Sequence, residues 1–260
     1  MANLPGGTHV LSGAEAQRLR TFCTSEVWTE ADLDDYSHIV RGPTSSVRAD
    51  FEERSSVDGI EKTRQSLADI HYGPTKVPLF NFLLQLTHLD PYNRLRYLET
   101  TRYLALEAKV PVDSTDLSGT TTFMYAISTK PYWDREFADI MVEAGVAINH
   151  RNRYGCVAGH DIIMASDYSA KGKKKTVDAL RYFIEKGGDV NVAEGNGITI
   201  HRMGTSVQRL IPEIGLLLNG GGGAGISGST SGGLGGKKIG RNDPCHCGSK
   251  KKFKTCCGKN

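Results

Sequence analysis

Apolar residues recur at helical spacing in three stretches of the chain: Arg96–Leu106, Phe137–Val142 and Val177–Ile184. Apolar positions at i, i+3 and i+4 put one face of a helix against a core. Each stretch runs into a short segment that ends on Asp or Asn: Glu107–Asp113, Glu143–Asn149 and Glu185–Asn191. A glycine then follows in similar context, at Gly119, Gly155 and Gly197. Glycine near a helix end supplies the left-handed turn that stops it. The first 75 residues carry weaker signals. Ser12–Glu15 and Thr29–Asp32 have the spacing of helix-starting capping boxes. Helices are expected near 13–24, 30–40 and 57–71, with Gly42-Pro43 breaking the second.

Laid over one another, Glu107-Ala-Lys-Val-Pro-Val-Asp113, Glu143-Ala-Gly-Val-Ala-Ile-Asn149 and Glu185-Lys-Gly-Gly-Asp-Val-Asn191 form a repeat with steps of 36 and 42 residues. A period of this size means units that bury a core only by stacking on their neighbours. The pattern resembles the ankyrin repeat, a helix pair with a projecting turn. That family's G-x-T-P-L-H-x-A opening is echoed by Gly119-Thr-Thr-Thr-Phe-Met-Tyr-Ala126 and Val77-Pro-Leu-Phe80. Its G-A-D-V-N ending is echoed by Gly187–Asn191 and Gly145–Asn149, and a last worn unit runs from Gly197 through Leu218. The T-P-L-H core is never intact, and an insert lies around Lys171–Lys175. The resemblance implies a mainly α fold, an ankyrin-like stack over 76–218 behind a helical cap region of 1–75, and a concave surface that grips proteins.

Tyr132, Trp133 and Arg135 lie between the helices of the first clear unit. Aromatics and Arg are the side chains that anchor interfaces; the competing reading of Trp133 is a lid on the core. His160-Asp161 stands where the repeat pattern places a histidine bonded within the turn, and the nearby Cys156 has no base partner in the sequence. Cys23 reads as packing. Sequences such as H-E-x-x-H, G-x-S-x-G and a dinucleotide fingerprint are missing, so the expected protein is not an enzyme. The enzymatic alternative places a site in 1–75 or in the repeat groove.

Residues 219–240 are half glycine, the composition of a flexible tether. Lys238 and Ser231 occupy places that a phosphate-binding loop reserves for Ser/Thr and Gly, so that motif fails. Beyond the tether, Cys245, Cys247, Cys256 and Cys257 give C-x-C-x8-C-C. So short a segment cannot hold itself together by apolar burial, and four thiolates suit tetrahedral zinc. Disulfides, an iron–sulfur cluster and an inert basic end are the competing readings, with His246 an alternative ligand. Gly240-Arg-Asn-Asp-Pro-Cys-His-Cys-Gly-Ser-Lys-Lys-Lys-Phe-Lys-Thr-Cys-Cys-Gly-Lys259 resembles the SEC-C zinc motif, known from the tail of the bacterial preprotein-translocase motor SecA. The resemblance makes Cys245, Cys247, Cys256 and Cys257 the ligands of one structural Zn2+ in a motif at 241–260 that recruits a partner. His246 and Lys250 depart from the usual Pro and Gly, and neither is a ligand position. Phe253 is expected to pack over the metal cage, among Lys251, Lys252 and Lys254.

Charge divides the chain in the same place. From Lys237 onward, eight Lys or Arg stand against one Asp, a net of +7; the whole chain is +3, which leaves 1–236 at −4. A basic tail on an acidic body meets phosphates or acidic protein surfaces. The expected function is a protein-binding adaptor, the repeats holding one partner and the zinc knuckle recruiting another. A ribosome- or RNA-associated factor led by the tail is the alternative. With neither a secretory leader nor an apolar run long enough to span a membrane, a cytoplasmic location is expected, the nucleus being the alternative.

Overall fold

The computed structural model describes residues 10–164 and 167–220, which belong to one compact unit, Met1–Gly222. Helix α1 (Gly13–Ser25) is followed by a tight turn at Glu30–Asp32, then α2 (Asp35–Arg41), α3 (Thr44–Asp58) and α4 (Ile60–Ala68). A hairpin of β1 (His71–Tyr72) and β2 (Val77–Pro78) comes next, antiparallel, with His71 opposite Pro78. Four helix pairs complete the described chain: α5 (Leu79–Leu89) with α6 (Arg94–Arg102), α7 (Thr122–Ile127) with α8 (Arg135–Glu143), α9 (Ala158–Met164) with α10 (Ala170–Glu185), and α11 (Ile200–Val207) with α12 (Pro212–Gly220). α6 runs on through a wide π-type turn at Tyr103–Glu107.

Each helix of a pair packs on the other, and the first helices, α5, α7, α9 and α11, also pack on one another in series. The result is a mainly α stack of ankyrin-like units. One continuous apolar core runs from Tyr36 to Leu218. Phe123, Phe137 and Phe183 are fully buried in it, each contributing about 2–3 kcal/mol by leaving water. The helices start on side-chain caps where the sequence supplies them: Thr121, Asp134, Ser169 and Thr199 each accept a hydrogen bond from an amide three residues on.

The projecting turns explain the repeat. In each, one side-chain oxygen accepts from two backbone amides. Asp116 Oδ1 takes those of Ser118 and Thr120 at 2.9 Å each. Asn152 Oδ1 takes those of Tyr154 and Cys156 at 3.0 Å each. Glu194 Oε1 takes those of Asn196 and Ile198 at 3.0 and 3.2 Å. Gly119, Gly155 and Gly197 close the turns at φ of 73, 74 and 79°, where a side chain is strained. Neighbouring turns are stitched by single backbone bonds, Leu117 N to Thr75 O, Arg153 N to Ser118 O and Gly195 N to Tyr154 O.

The recurring Asp/Asn endings are a second stitch. Asp113 Oδ1 accepts from the Ala147 amide at 3.0 Å, and Asn149 Oδ1 accepts from the Asp189 amide at 2.8 Å. The helix ends before them are left-handed: Lys109, Gly145 and Gly187 have φ of 58, 85 and 90°.

Several expectations need correction. α3 occupies residues placed outside helices by the sequence reading. Its buried residues are only Thr44, Val47 and Phe51, too thin a stripe to stand out against a serine- and charge-rich background. Ser12 makes no side-chain cap, whereas the Thr29 amide does donate to Asp32 Oδ2 at 2.7 Å. The insert around Lys171–Lys175 lies in the first turns of α10. The first hairpin, His71–Pro78, leads directly into α5. α2 and α3 pack on α6 at the start of the stack; the chain around α1 instead meets the projecting turns, with the Leu11 amide on Arg153 O at 2.7 Å.

Asn152→Ala would leave two buried amides without an acceptor and is expected to cost about 2–3 kcal/mol. Gly145→Ala meets no neighbouring atom within 4 Å, so its cost is backbone strain alone, about 1–2 kcal/mol. Urea unfolding of both variants checks the two figures.

Candidate functional site

Tyr132, Trp133 and Arg135 lie where the chain turns from α7 into α8, the last of them opening α8. Asp134 between them is the anchor. It is buried and accepts the Phe137 amide at 3.1 Å, which starts the helix. The Arg94 guanidinium clamps both its oxygens at 2.6 and 2.9 Å and also reaches Glu136 at 3.1 Å. Burial by itself would raise this carboxyl. The bonds from Arg94 and from the Phe137 amide outweigh it and hold Asp134 below the usual carboxylate range. His88 Nε2 lies 3.3 Å from Asp134. Burial lowers His88 despite that carboxylate, so at neutral pH the contact joins a neutral imidazole to the anion.

The loop divides the three candidate residues. Trp133 meets Tyr182 edge-on at 5.7 Å, and the Arg135 guanidinium lies over the same ring at 5.6 Å. Tyr182 donates to Asp139 at 2.9 Å, and Arg135 reaches Asp139 at 3.7 Å. Trp133 and Arg135 form a ridge between two open clefts of about 350 and 390 Å³, one rimmed by Lys174, Asp178, Arg181 and Glu185, the other by His88, Arg94 and Glu136. Trp133 is half-buried: its ring packs on the core and its remaining surface lines both clefts. Tyr132 turns away. It stacks on His88 at 4.5 Å and lines a separate, larger cavity.

His160 does what the repeat pattern asks. It is fully buried, its Nδ1 accepts the Val157 amide at 3.2 Å, and its Nε2 donates to Ile198 O in the next turn at 3.3 Å. Burial lowers it, so it stays neutral. Cys156 is buried and its thiol is pushed far up, so it packs rather than reacts. Cys245, Cys247, Cys256 and Cys257, with Lys251, Lys252, Phe253 and Lys254, lie outside the described residues. Among the described residues no group of three His, Cys, Asp or Glu could hold a metal, and no helix is long and apolar enough to cross a membrane. The sequence reading missed the Arg94–Asp134 clamp. Asp134 carries the local signal of a helix cap, but nothing local tells which cation, 40 residues away, will meet it.

Residues 241–259 match the SEC-C motif family. Over 25 residues the chain is 84% identical to the protein translocase subunit SecA of Finegoldia magna, and over 24 residues 83% identical to that of Thermodesulfovibrio yellowstonii. The matches cover 10% and 9% of this chain and 3% of each relative, so the shared part is the motif. Among solved structures, the crystal structure of an ankyrin repeat domain from Acinetobacter baumannii aligns with 80% of this chain and 93% of its own, at 20% identity and a TM-score of 0.44.

Because Asp134 is held below the value near 3.9 that it has in an unfolded chain, its ion pair contributes stability above pH 4. That contribution is lost as the pH falls through the depressed folded value. Arg94→Met is expected to cost about 2 kcal/mol at pH 7, less than a fully buried pair because the Arg94 side chain is 30% exposed. The gap to the parent should close below pH 4. Stability measured from pH 3 to 8 checks both.

Proposed function

We propose that the chain is a non-enzymatic adaptor: the repeat stack grips one protein and a zinc-ordered tail recruits another. The observation that carries this reading is a helical repeat stack with a half-buried aromatic–arginine ridge, joined in one chain to a SEC-C motif. Stacked repeats present extended surfaces whose business is binding. A Trp beside an Arg, flanked by clefts, is the composition of an interface hot spot.

In the tail, Cys245, Cys247, Cys256 and Cys257 would hold one Zn2+, and the donor set fits that ion: four thiolates, two pairs close in sequence. The metal would supply folding free energy on the order of 10 kcal/mol to a segment too short to fold by burial. Phe253 would cover the cage, while Lys251, Lys252 and Lys254 offset the negative charge of a four-thiolate zinc and face the second partner. Thiolate chemistry of this kind belongs in a reducing compartment, the cytoplasm in this reading.

Two losses should separate. Trp133→Ala with Arg135→Ala is expected to weaken the repeat-bound partner at least about 30-fold, the effect of losing a hot spot, and to leave one zinc per chain. Cys256→Ser with Cys257→Ser should release the zinc and the tail's partner while the repeat partner stays bound. Affinity capture of the full-length variants, with metal analysis, reads both. Equal loss of the same proteins from both variants would overturn the division.

A further inference from the structure

A cavity of about 640 Å³ lies between α1 and the projecting turns. Its roof is pinned at both ends. At one, Leu11 bonds to Arg153; at the other, Trp28 donates to Gln85 Oε1 at 2.6 Å and meets Phe82 edge-on at 5.2 Å. Between those pins, α1 buries no residue. The volume falls within the range of small-ligand sites.

Its polar lining is unusual for a gap in packing. Asp116 is fully engaged: Oδ1 holds its turn and Oδ2 accepts from Tyr125 at 2.6 Å. Asp161, on α9, is partly exposed and lines the cavity, and among the described residues no hydrogen bond or ion pair reaches its carboxylate. Desolvation beside the cavity wall raises it to about 7, with Arg20 opposing and Asp116 adding to the shift. Asn81 also lines the cavity, and its buried Oδ1 has no hydrogen-bond partner among the described residues. Trp28, Tyr125, Tyr132 and Tyr154 give aromatic walls. One of those faces already takes a cation, with the Arg20 guanidinium 4.7 Å above the Tyr154 ring.

We propose that this cavity binds an alkylammonium group, its charge paired with Asp161 and its stem held between the tyrosine rings beneath α1. A carboxylate partly withdrawn from water into an aromatic-walled cavity favours a cation as its partner, and a cation seated against aromatic faces is the chemistry that supplies one. Arg20 is the resident competitor at the mouth. A free amine and a lysine side chain on a peptide share this chemistry. The site is independent of the Trp133–Arg135 ridge.

Isothermal titration of the full-length protein at pH 8 with cadaverine, and with a capped peptide carrying one central lysine, tests this and tells the two sources apart. The same peptide with norleucine is the control. Saturable binding of either probe is expected, weakened at least tenfold by Asp161→Asn and tightened by Arg20→Ala. The carboxylate must be ionised to hold the cation, so affinity should fall about tenfold from pH 8 to pH 6. Arg20, Asp116, Tyr125 and Cys156 face Asp161, and Cys23, Glu26, Lys130 and Tyr154 share the cavity. Burial raises the Tyr125 and Tyr154 phenols, so both keep their protons across that window. Without ligand, the raised carboxyl loses stability for the fold as pH climbs from 4 through 7, so Asp161→Asn should be the more stable protein at pH 8. No binding of either probe at millimolar concentration, equal binding by Asp161→Asn, or no gain in its stability at pH 8 would each overturn the proposal.

Discussion

One side-chain oxygen closing two amides is the interaction on which the described fold rests. Asp116, Asn152 and Glu194 each satisfy donors that a projecting turn would otherwise leave unpaired. Such unpaired buried amides are what a short, irregular segment can least tolerate. Once closed, each turn offers one amide to its predecessor, and the bonds Leu117–Thr75, Arg153–Ser118 and Gly195–Tyr154 fix the spacing of the units. The helices supply most of the burial; the turns set its register.

That division explains what was legible in the sequence. Backbone chemistry demands particular residues, so Gly119, Gly155 and Gly197 and the Asp113, Asn149 and Asn191 endings recur and reveal the repeat. Lys109 shows the limit: it takes the left-handed place that Gly145 and Gly187 hold elsewhere, and the unit survives. Contacts chosen by tertiary geometry leave no such trace. Nothing near Arg94 announces Asp134, nothing in α1 announces that its neighbouring chain meets the turns of later units, and α3 packs too few apolar residues to mark itself. The candidate ridge was half legible, because Trp133 and Arg135 stay together while Tyr132 joins a different cavity.

The two faces of the α7–α8 loop carry different chemistry. Outward, Trp133 and Arg135 stand on a helix start held by the Arg94–Asp134 clamp. Inward, Tyr132 joins polar groups around a hollow that a stack built only for stability would have filled. Functional sites are where packing and polar satisfaction are relaxed, and Asp161 is the clearest such departure. The tail adds a segment that matches the SEC-C motif.

Native-state hydrogen exchange of the full-length protein tests the central claim most directly. The amides of Leu117, Thr120, Arg153, Tyr154, Cys156 and Gly195 should exchange together, with protection equal to that of the α7 and α9 cores. Turn amides that exchange as in free peptides while those helices stay protected would contradict the account.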